Sequence, residues 1–414
     1  MRGQAFSLMS LSRCFYTKDF YDDKNLHKED YRAEVLAKAL SIADSYFSDG
    51  IALSTTRVGK KAAYMSTELA EKLVLRKCAS NIKKYTKIKQ KHRSTIIREL
   101  KGALKEGTPY RVYRLDISSF FESIDVSELL RGLEAEYLST QTINIISSYL
   151  NAFNNHYGRG LPRGVEISPI LAELSLKGFD KLVASQTHVF YYARFVDDMI
   201  IVSSGVEDKK KFMRWLRKNL PKGLSFNFTK QYIMDVAERS KGDPSKDNTV
   251  ASFEYLGYQL KAIDYPVSSN KRLQTFRAVS VDISKAKVNK IKSRISKSFY
   301  SFVEAKDYKL LSDRLIFLSS NRNLINKDKQ RKVPTGIYYN YSEADFPSPA
   351  LTEIDTFTRN ILLSRKGRLS KKLSAAITKK ERSKLLKISF EGGFKNRTFK
   401  RFSPDRLKDI ARGI

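Results

Sequence analysis

Cysteine is nearly missing from this chain: Cys14 and Cys78 are the only two, and histidine is limited to His27, His92, His156 and His188. Their spacing matches neither a disulfide framework nor a zinc site. Metal chemistry, if there is any, falls to carboxylates, which select hard cations. Long apolar runs are lacking as well. Met199-Ile200-Ile201-Val202 is typical of the longest, far too short to span a bilayer. The opening Met1-Arg2-Gly3-Gln4-Ala5-Phe6-Ser7 has no apolar core of a signal peptide. The expectation is a reduced, cytoplasmic protein without a membrane anchor. Acid is scarce too, with Asp+Glu 44 against Lys+Arg 77 and a formal net charge of +33. A potential of that sign gathers polyanions, and nucleic acid is the default partner because each fixed phosphate rewards a nearby cation by counterion release.

What remains is ample for a fold: 414 residues, 41% of them hydrophobic, suffice for several packed units. Residues from about 30 to 107 read as mostly helical, with Ala, Leu and Lys prominent over 33–40 and 66–74, and a basic stretch over 83–91. Pro109 marks a break. From Tyr110 short strand-like runs alternate with helices: 112–117, two strands around a tight turn over 190–201, and one strand over 252–260. Ser168-Pro169 has the form of an N-cap followed by proline, opening a helix with Ile170, Leu171, Leu174 and Leu182 on one face. After about residue 280 the pattern is helical again, with Val288, Ile291, Ile295, Phe299 and Phe302 on one face and lysines on the others. The last fifty residues are strongly basic yet keep their apolar spacing, which predicts a folded basic surface. This order suggests an α+β fold with a ferredoxin-like sheet, in three regions: 1–109, 110–265 and 266–414.

The sharpest chemical signal is Phe195-Val196-Asp197-Asp198 between two apolar strands. Adjacent carboxylates at a hairpin tip repel unless cations occupy the site. An isolated pair of this kind is most often a solvated turn. A second acidic strand end shifts the balance, since Arg114-Leu115-Asp116-Ile117 carries one carboxylate on an apolar strand. Beside the hairpin, Asp116 and Asp197 can bridge two divalent ions that stabilise the attacking and leaving oxygens of a phosphoryl displacement. Mg²⁺ suits such a site, because it takes few carboxylates and keeps open positions for phosphate oxygens. Gly160-Leu161-Pro162-Arg163-Gly164 precedes the Ser168 helix. Its glycines permit close backbone approach to a ligand, and the helix directs N–H groups at an anion or base.

In order and spacing these segments resemble motifs A, B and C of reverse transcriptases: an aspartate strand, a Gly-Leu-Pro-Gln-Gly…Ser-Pro loop and an aromatic-x-Asp-Asp hairpin. Leu224-Ser225-Phe226-Asn227-Phe228-Thr229-Lys230 is similar to motif D, and Phe253-Glu254-Tyr255-Leu256-Gly257-Tyr258 to motif E. The resemblance covers about residues 110–260 and implies a right-hand polymerase: basic helical fingers over 1–109, a palm over 110–265, and a helical basic thumb with a C-terminal extension over 266–414. It implies that Asp116 and Asp197, assisted by Asp198, hold two Mg²⁺ ions, with Mn²⁺ as a substitute. It makes Phe121 the gate that favours dNTPs over ribonucleotides, with Phe120 as the competing aromatic and one of the pair expected in the core, and Lys230 a proton donor to the departing pyrophosphate. Arg163 and Gly164 become substrate contacts, and Arg93, Arg98 and Arg114 contacts to the triphosphate from the fingers.

Arg163 departs from the family pattern, which usually has Gln near the templating base pair. With the compact basic chain, the Leu161-Pro162-Arg163-Gly164 variant resembles prokaryotic defence-associated and abortive-infection enzymes. Copying of an RNA template is the first reading: RNA-directed DNA synthesis from dNTPs, with a dedicated non-coding RNA, a homo-oligomer or a partner defence protein as further associations. A protein-primed or template-independent DNA polymerase of the same fold is the alternative. Tyr338, Tyr339 and Tyr341 are imaginable priming hydroxyls, for which a packing cluster is the simpler account. An inactive nucleic-acid-binding scaffold is the third reading, and clustered carboxylates facing phosphates argue against it. From the charge alone, neutralising about six to ten phosphates should lower affinity for nucleic acid roughly 10³–10⁵-fold between about 50 and 200 mM salt. A flat salt titration would assign the basic surface to another partner.

Overall fold

The computed structural model describes residues 3–59, 61–240, 248–265, 277–325, 332–364 and 366–412. Two compact units emerge: Met1–His92 with Tyr110–Asp235, and Arg93–Pro109 with Val236–Ile414. Both mix helices and strands, so the chain is α+β.

In the first unit, the helices Glu29–Asp44 and Leu69–Thr86 lie where Ala- and Leu-rich spacing predicts them. Between them, β1 (Leu53–Val58) and β2 (Lys61–Ser66) form an antiparallel hairpin in a stretch read as mostly helical. The local chemistry explains it: Thr55, Thr56 and Val58 are β-branched, and Gly59 opens the turn at φ +66°. Next come β3 (Tyr110–Asp116), β4 (Val189–Phe195), β5 (Asp198–Ser203) and β6 (Tyr232–Val236), hydrogen-bonded in the order β4-β5-β3-β6. Helices separate β3 from β4 and β5 from β6, giving β-α-β-β-α-β connectivity. β5 is central, and Met199, Ile200, Ile201 and Val202 are all buried. Leu129, Leu133, Ile145, Tyr149, Leu171, Phe179 and Phe212 complete this core.

Two expectations for the Ser168 segment need correction. Ile167, not Ser168, occupies the cap, and Ser168 lies inside the helix Ser168–Ser175, its hydroxyl donating to the Pro162 carbonyl at 2.7 Å. The helix also ends at Ser175, and a second runs Lys177–Ala184. That break shifts the inward face to Phe179 and Val183, leaving Leu182 45% exposed.

In the second unit, β7 (Thr249–Tyr255), β8 (Tyr258–Asp264) and β9 (Arg277–Ile283) form an antiparallel sheet in that order. The single strand expected over 252–260 is thus a hairpin. Leu256 and Gly257 both have positive φ, the geometry of a two-residue turn that matches strand twist. Arg277, fully buried, pairs with Asp264 opposite it at 2.7 Å. The helix Lys285–Ala305 buries Val288, Ile295, Phe299 and Phe302, as its spacing requires, with Ile291 half-buried. β10 (Asn321–Ile325) and β11 (Lys332–Gly336) make a further hairpin. The Tyr338 ring packs on Tyr339 and Phe394, Tyr339 on Phe399, and Tyr341 on Tyr258, so all three are engaged in packing. Residues 266–276, where the third region was expected to begin, lie outside the described residues. Among the described residues no helix is long and apolar enough to cross a membrane.

Candidate active site

The turn between β4 and β5 is tight: Phe195 faces Asp198, and Val196 sits at φ +61°. A β-branched residue there is strained by about 1–3 kcal/mol and persists only where its surroundings over-determine it. Arg194 does so. Its guanidinium donates to the Val196 carbonyl at 2.9 Å and pairs with Asp180 at 2.7 Å and Glu173 at 2.9 Å, its side chain only 4% exposed. The turn is thereby pinned to the helices Ser168–Ser175 and Lys177–Ala184.

Across β3 and β5, Asp116 is in register with Asp198, and the Ile117 amide donates to the Asp197 carbonyl at 3.2 Å. Carboxylate oxygens of Asp116, Asp197 and Asp198 all lie within 4.8 Å of one another. Burial raises the pKa of Asp197, and the Asp116 charge raises it further. Asp198 is pushed up to about 6, first by burial and then by Asp197, with Arg114 opposing. Arg114 stands two residues before Asp116 on β3, hence on the same face. The donor set is carboxylate only, with neither imidazole nor thiolate, which fits a hard divalent cation.

Two further side chains hold Asp116. Beyond β3 the chain bridges to Phe226, and the Asn227 amide donates to the Asp116 carbonyl at 2.7 Å. The Asn227 side chain donates to Asp116 Oδ2 at 3.3 Å, and Lys230 Nζ lies 3.0 Å from both Asp116 oxygens. A cation that takes Asp116 as ligand therefore competes with the Lys230 ammonium for the same atoms. Sequence reading singled out Lys230 but not Asn227, whose role depends on a contact 111 residues away.

Of the adjacent aromatics, Phe120 is buried and Phe121 half-exposed, their rings 5.6 Å apart. The glycine loop packs on Phe121, though its close approaches are to protein backbone. A Cβ on Gly160 would lie 2.3 Å from the Phe121 carbonyl oxygen, and one on Gly164 2.7 Å from that of Tyr64. Leu161 donates to the Phe121 carbonyl, and Tyr64 on β2 donates to that of Arg163. Arg163 lies 5.0 Å from the Phe121 ring centroid and binds Glu122 through two nitrogens at 3.2 Å. Lys61 reaches the other Glu122 oxygen at 3.3 Å. Lys61, Ser119, Glu122, Arg159 and Arg163 line a cavity of about 260 Å³. Neither Glu122 nor Lys61 was singled out from the sequence, since 41 and 61 positions separate Glu122 from its two partners. Arg93 and Arg98 belong to the second unit, where Arg93 contacts the Asn340 carbonyl and Arg98 pairs with Glu343 at 2.8 Å.

Residues 66–260 match the family described as "Reverse transcriptase (RNA-dependent DNA polymerase)". That segment is similar to an RNA-directed DNA polymerase domain, and the aspartate cluster lies within it. No curated protein matches the sequence. Solved structures that resemble it include apo telomerase from Candida tropicalis truncated from its C-terminal domain, at 14% identity and a TM-score of 0.30, covering 59% of this chain and 46% of that one. Apo telomerase from the same organism gives 10%, 0.31, 56% and 51%. Telomerase from Candida albicans in complex with a TWJ fragment of telomeric RNA gives 10%, 0.35, 92% and 66%. The chain spans about half the length of the first two.

The carboxyl pKa values set a pH dependence. Asp198 titrates near 6 in the folded chain, against about 3.9 when unfolded. Across that window the folded state binds more protons, so the triad costs stability as pH rises and its charges appear. A divalent cation offsets that repulsion. Titration with Mg²⁺ or Mn²⁺ should raise the melting temperature clearly at about pH 7.5 and much less at about pH 5. Asp197→Asn with Asp198→Asn should remove the shift. A cation response equal at both pH values, or retained in the double variant, would refute the site.

Proposed function

We propose that the chain is an RNA-directed DNA polymerase of right-hand architecture, with fingers over 1–109, a palm over 110–265, and a thumb and C-terminal extension over 266–414. One observation carries the reading: three aspartates from β3 and the β4–β5 turn converge inside the segment that matches reverse transcriptases. The order β4-β5-β3-β6 with β-α-β-β-α-β connectivity supports a ferredoxin-like palm beneath them.

Asp116, Asp197 and Asp198 would hold two Mg²⁺ ions, for which Mn²⁺ can substitute, and the ions would supply charge neutralisation at the attacking and leaving oxygens. The protein's own contribution is positioning. Arg194 locks the turn that presents Asp197 and Asp198. Phe121, fixed by Phe120 and by the loop backbone, offers a flat apolar surface against C2′ of an incoming deoxynucleotide. Gly164 lets the loop pass close to β2 beside it. Arg114 places a positive charge near Asp198, suited to a triphosphate oxygen. Lys230, released from Asp116, is the proton donor to departing pyrophosphate.

Arg163 favours a second reading. Its guanidinium is tied to Glu122 and spread over Phe121, so the position that handles the template base in the family pattern is engaged within the protein. That supports a template-independent or protein-primed DNA polymerase built on the same palm. The Leu161-Pro162-Arg163-Gly164 variant and the charge of +33 are likewise what support a place among prokaryotic antiviral-defence enzymes. Such an enzyme would act in the cytoplasm with a non-coding RNA, a second copy of itself or a defence partner.

Purified protein with primed RNA, Mg²⁺ and dNTPs should extend the primer into a DNA copy of the RNA. Asp197→Ala with Asp198→Ala should reduce extension to background. A product of random or biased sequence would transfer the conclusion to the second reading, and extension that survives the double substitution would overturn both.

A further inference from the structure

The second unit carries a groove apart from the aspartates, where residues 398–402 run alongside β10. The Asn321 amide donates to the Thr398 carbonyl at 2.7 Å, and the Lys400 amide to that of Asn321 at 2.8 Å, fixing this strip in place. The groove encloses about 530 Å³, and four of its lining residues are cations: Arg322, Lys332, Lys400 and Arg401. Among the described residues, no acidic residue lines it and none of the four is paired with a carboxylate. Arg322 is the most telling. It is half-buried, its guanidinium 3.7 Å from the Phe317 ring centroid, and burial together with the Arg294 charge lowers its pKa. A desolvated cation beside another cation is unfavourable unless an anion joins them. Aromatic faces complete the lining. Phe399 is 44% exposed although its ring contacts Tyr339, and Phe402 packs on Phe317 with centroids 6.1 Å apart.

We propose that this groove binds single-stranded nucleic acid, its phosphates on Arg322, Lys332, Lys400 and Arg401 and its unpaired bases stacked on Phe399 and Phe402. Cations that track a backbone, interleaved with aromatic faces, suit a single strand, because stacking needs bases that a duplex keeps paired. An anionic membrane would use the charges without needing rings interleaved among them, and competition with anionic vesicles separates the two. The proposal does not rest on the polymerase reading, because every residue named lies in the second unit and outside residues 66–260.

The test is fluorescence anisotropy of the full chain with labelled single strands of about twelve nucleotides, RNA and DNA in separate arms, against a duplex of equal length. Phe399→Ala should weaken single-strand binding roughly 5-fold or more while leaving the salt slope unchanged. Lys400→Glu with Arg401→Glu should make that slope shallower by about one or more. Three controls isolate the groove. Lys371→Glu with Lys372→Glu, an equal charge reversal on exposed residues elsewhere in the unit, should have a clearly smaller effect. In the Asp197→Ala, Asp198→Ala background, Phe399→Ala should weaken single-strand binding by the same factor, which separates this proposal from failure of the polymerase reading. Melting temperatures of all variants should stay near the parent's. Whichever of RNA and DNA binds more tightly identifies the natural strand. The proposal is overturned if Phe399→Ala binds normally, if the duplex loses as much affinity as the single strand, or if vesicles of anionic lipid displace the oligonucleotide from the parent but not from the Phe399 variant.

Discussion

Repulsion among three carboxylates is the constraint around which the first unit is built. Asp116, Asp197 and Asp198 have oxygens within 4.8 Å of one another in a largely buried setting, and burial is the leading cause of the raised pKa values of Asp197 and Asp198. Left alone, such a cluster would splay or protonate. Several devices prevent this. Strand register fixes Asp116 opposite Asp198, Arg194 clamps the strained Val196 turn from beneath, and Lys230 with Asn227 holds the Asp116 carboxylate. Each draws on a different part of the chain, so the whole unit must fold before the site exists. Lys230 meanwhile shares the atoms that a cation would take, which couples cation binding to release of the ammonium.

The acidic strand ends were legible in the sequence because β-hairpins and strand termini are local: apolar runs on either side of Asp197-Asp198, and a β-branched run ending in Asp116, specify their own geometry. Gly160 and Gly164 stood out as glycines flanking a rigid Leu-Pro, and Phe121 through the family resemblance. What holds them was not legible. Arg194 meets Glu173 and Asp180 through the packing of two helices on β4, and Glu122 meets Arg163 and Lys61 through three separate elements. In a chain with 77 basic residues nothing local distinguishes these cations from the solvated ones. Secondary structure was misread where two signals competed. The hairpin of β1 and β2 lies in a stretch read as mostly helical from the Ala- and Leu-rich segments on either side, while Thr55, Thr56 and Gly59 decided for strands. Leu182 kept a helical interval from Leu174, but the break after Ser175 turned it to solvent.

Charge divides the molecule's tasks. Around the aspartates, cations are largely neutralised within the protein: Arg163 and Lys61 by Glu122, Lys230 by Asp116 and Arg194 by its two acids. Along residues 398–402 none is paired with a carboxylate among the described residues, and aromatic rings lie among them. An excess of +33 would otherwise only oppose compaction. Matched charge at the aspartate site and unmatched charge along the groove thus distinguish the proposed reaction site in one unit from the proposed strand-binding groove in the other.

The most direct test of the aspartate site is anomalous diffraction from crystals soaked in Mn²⁺. The expected result is manganese bounded by the carboxylates of Asp116, Asp197 and Asp198, with the Lys230 ammonium moved off Asp116. Manganese bound only elsewhere, with Lys230 still on Asp116, would contradict it.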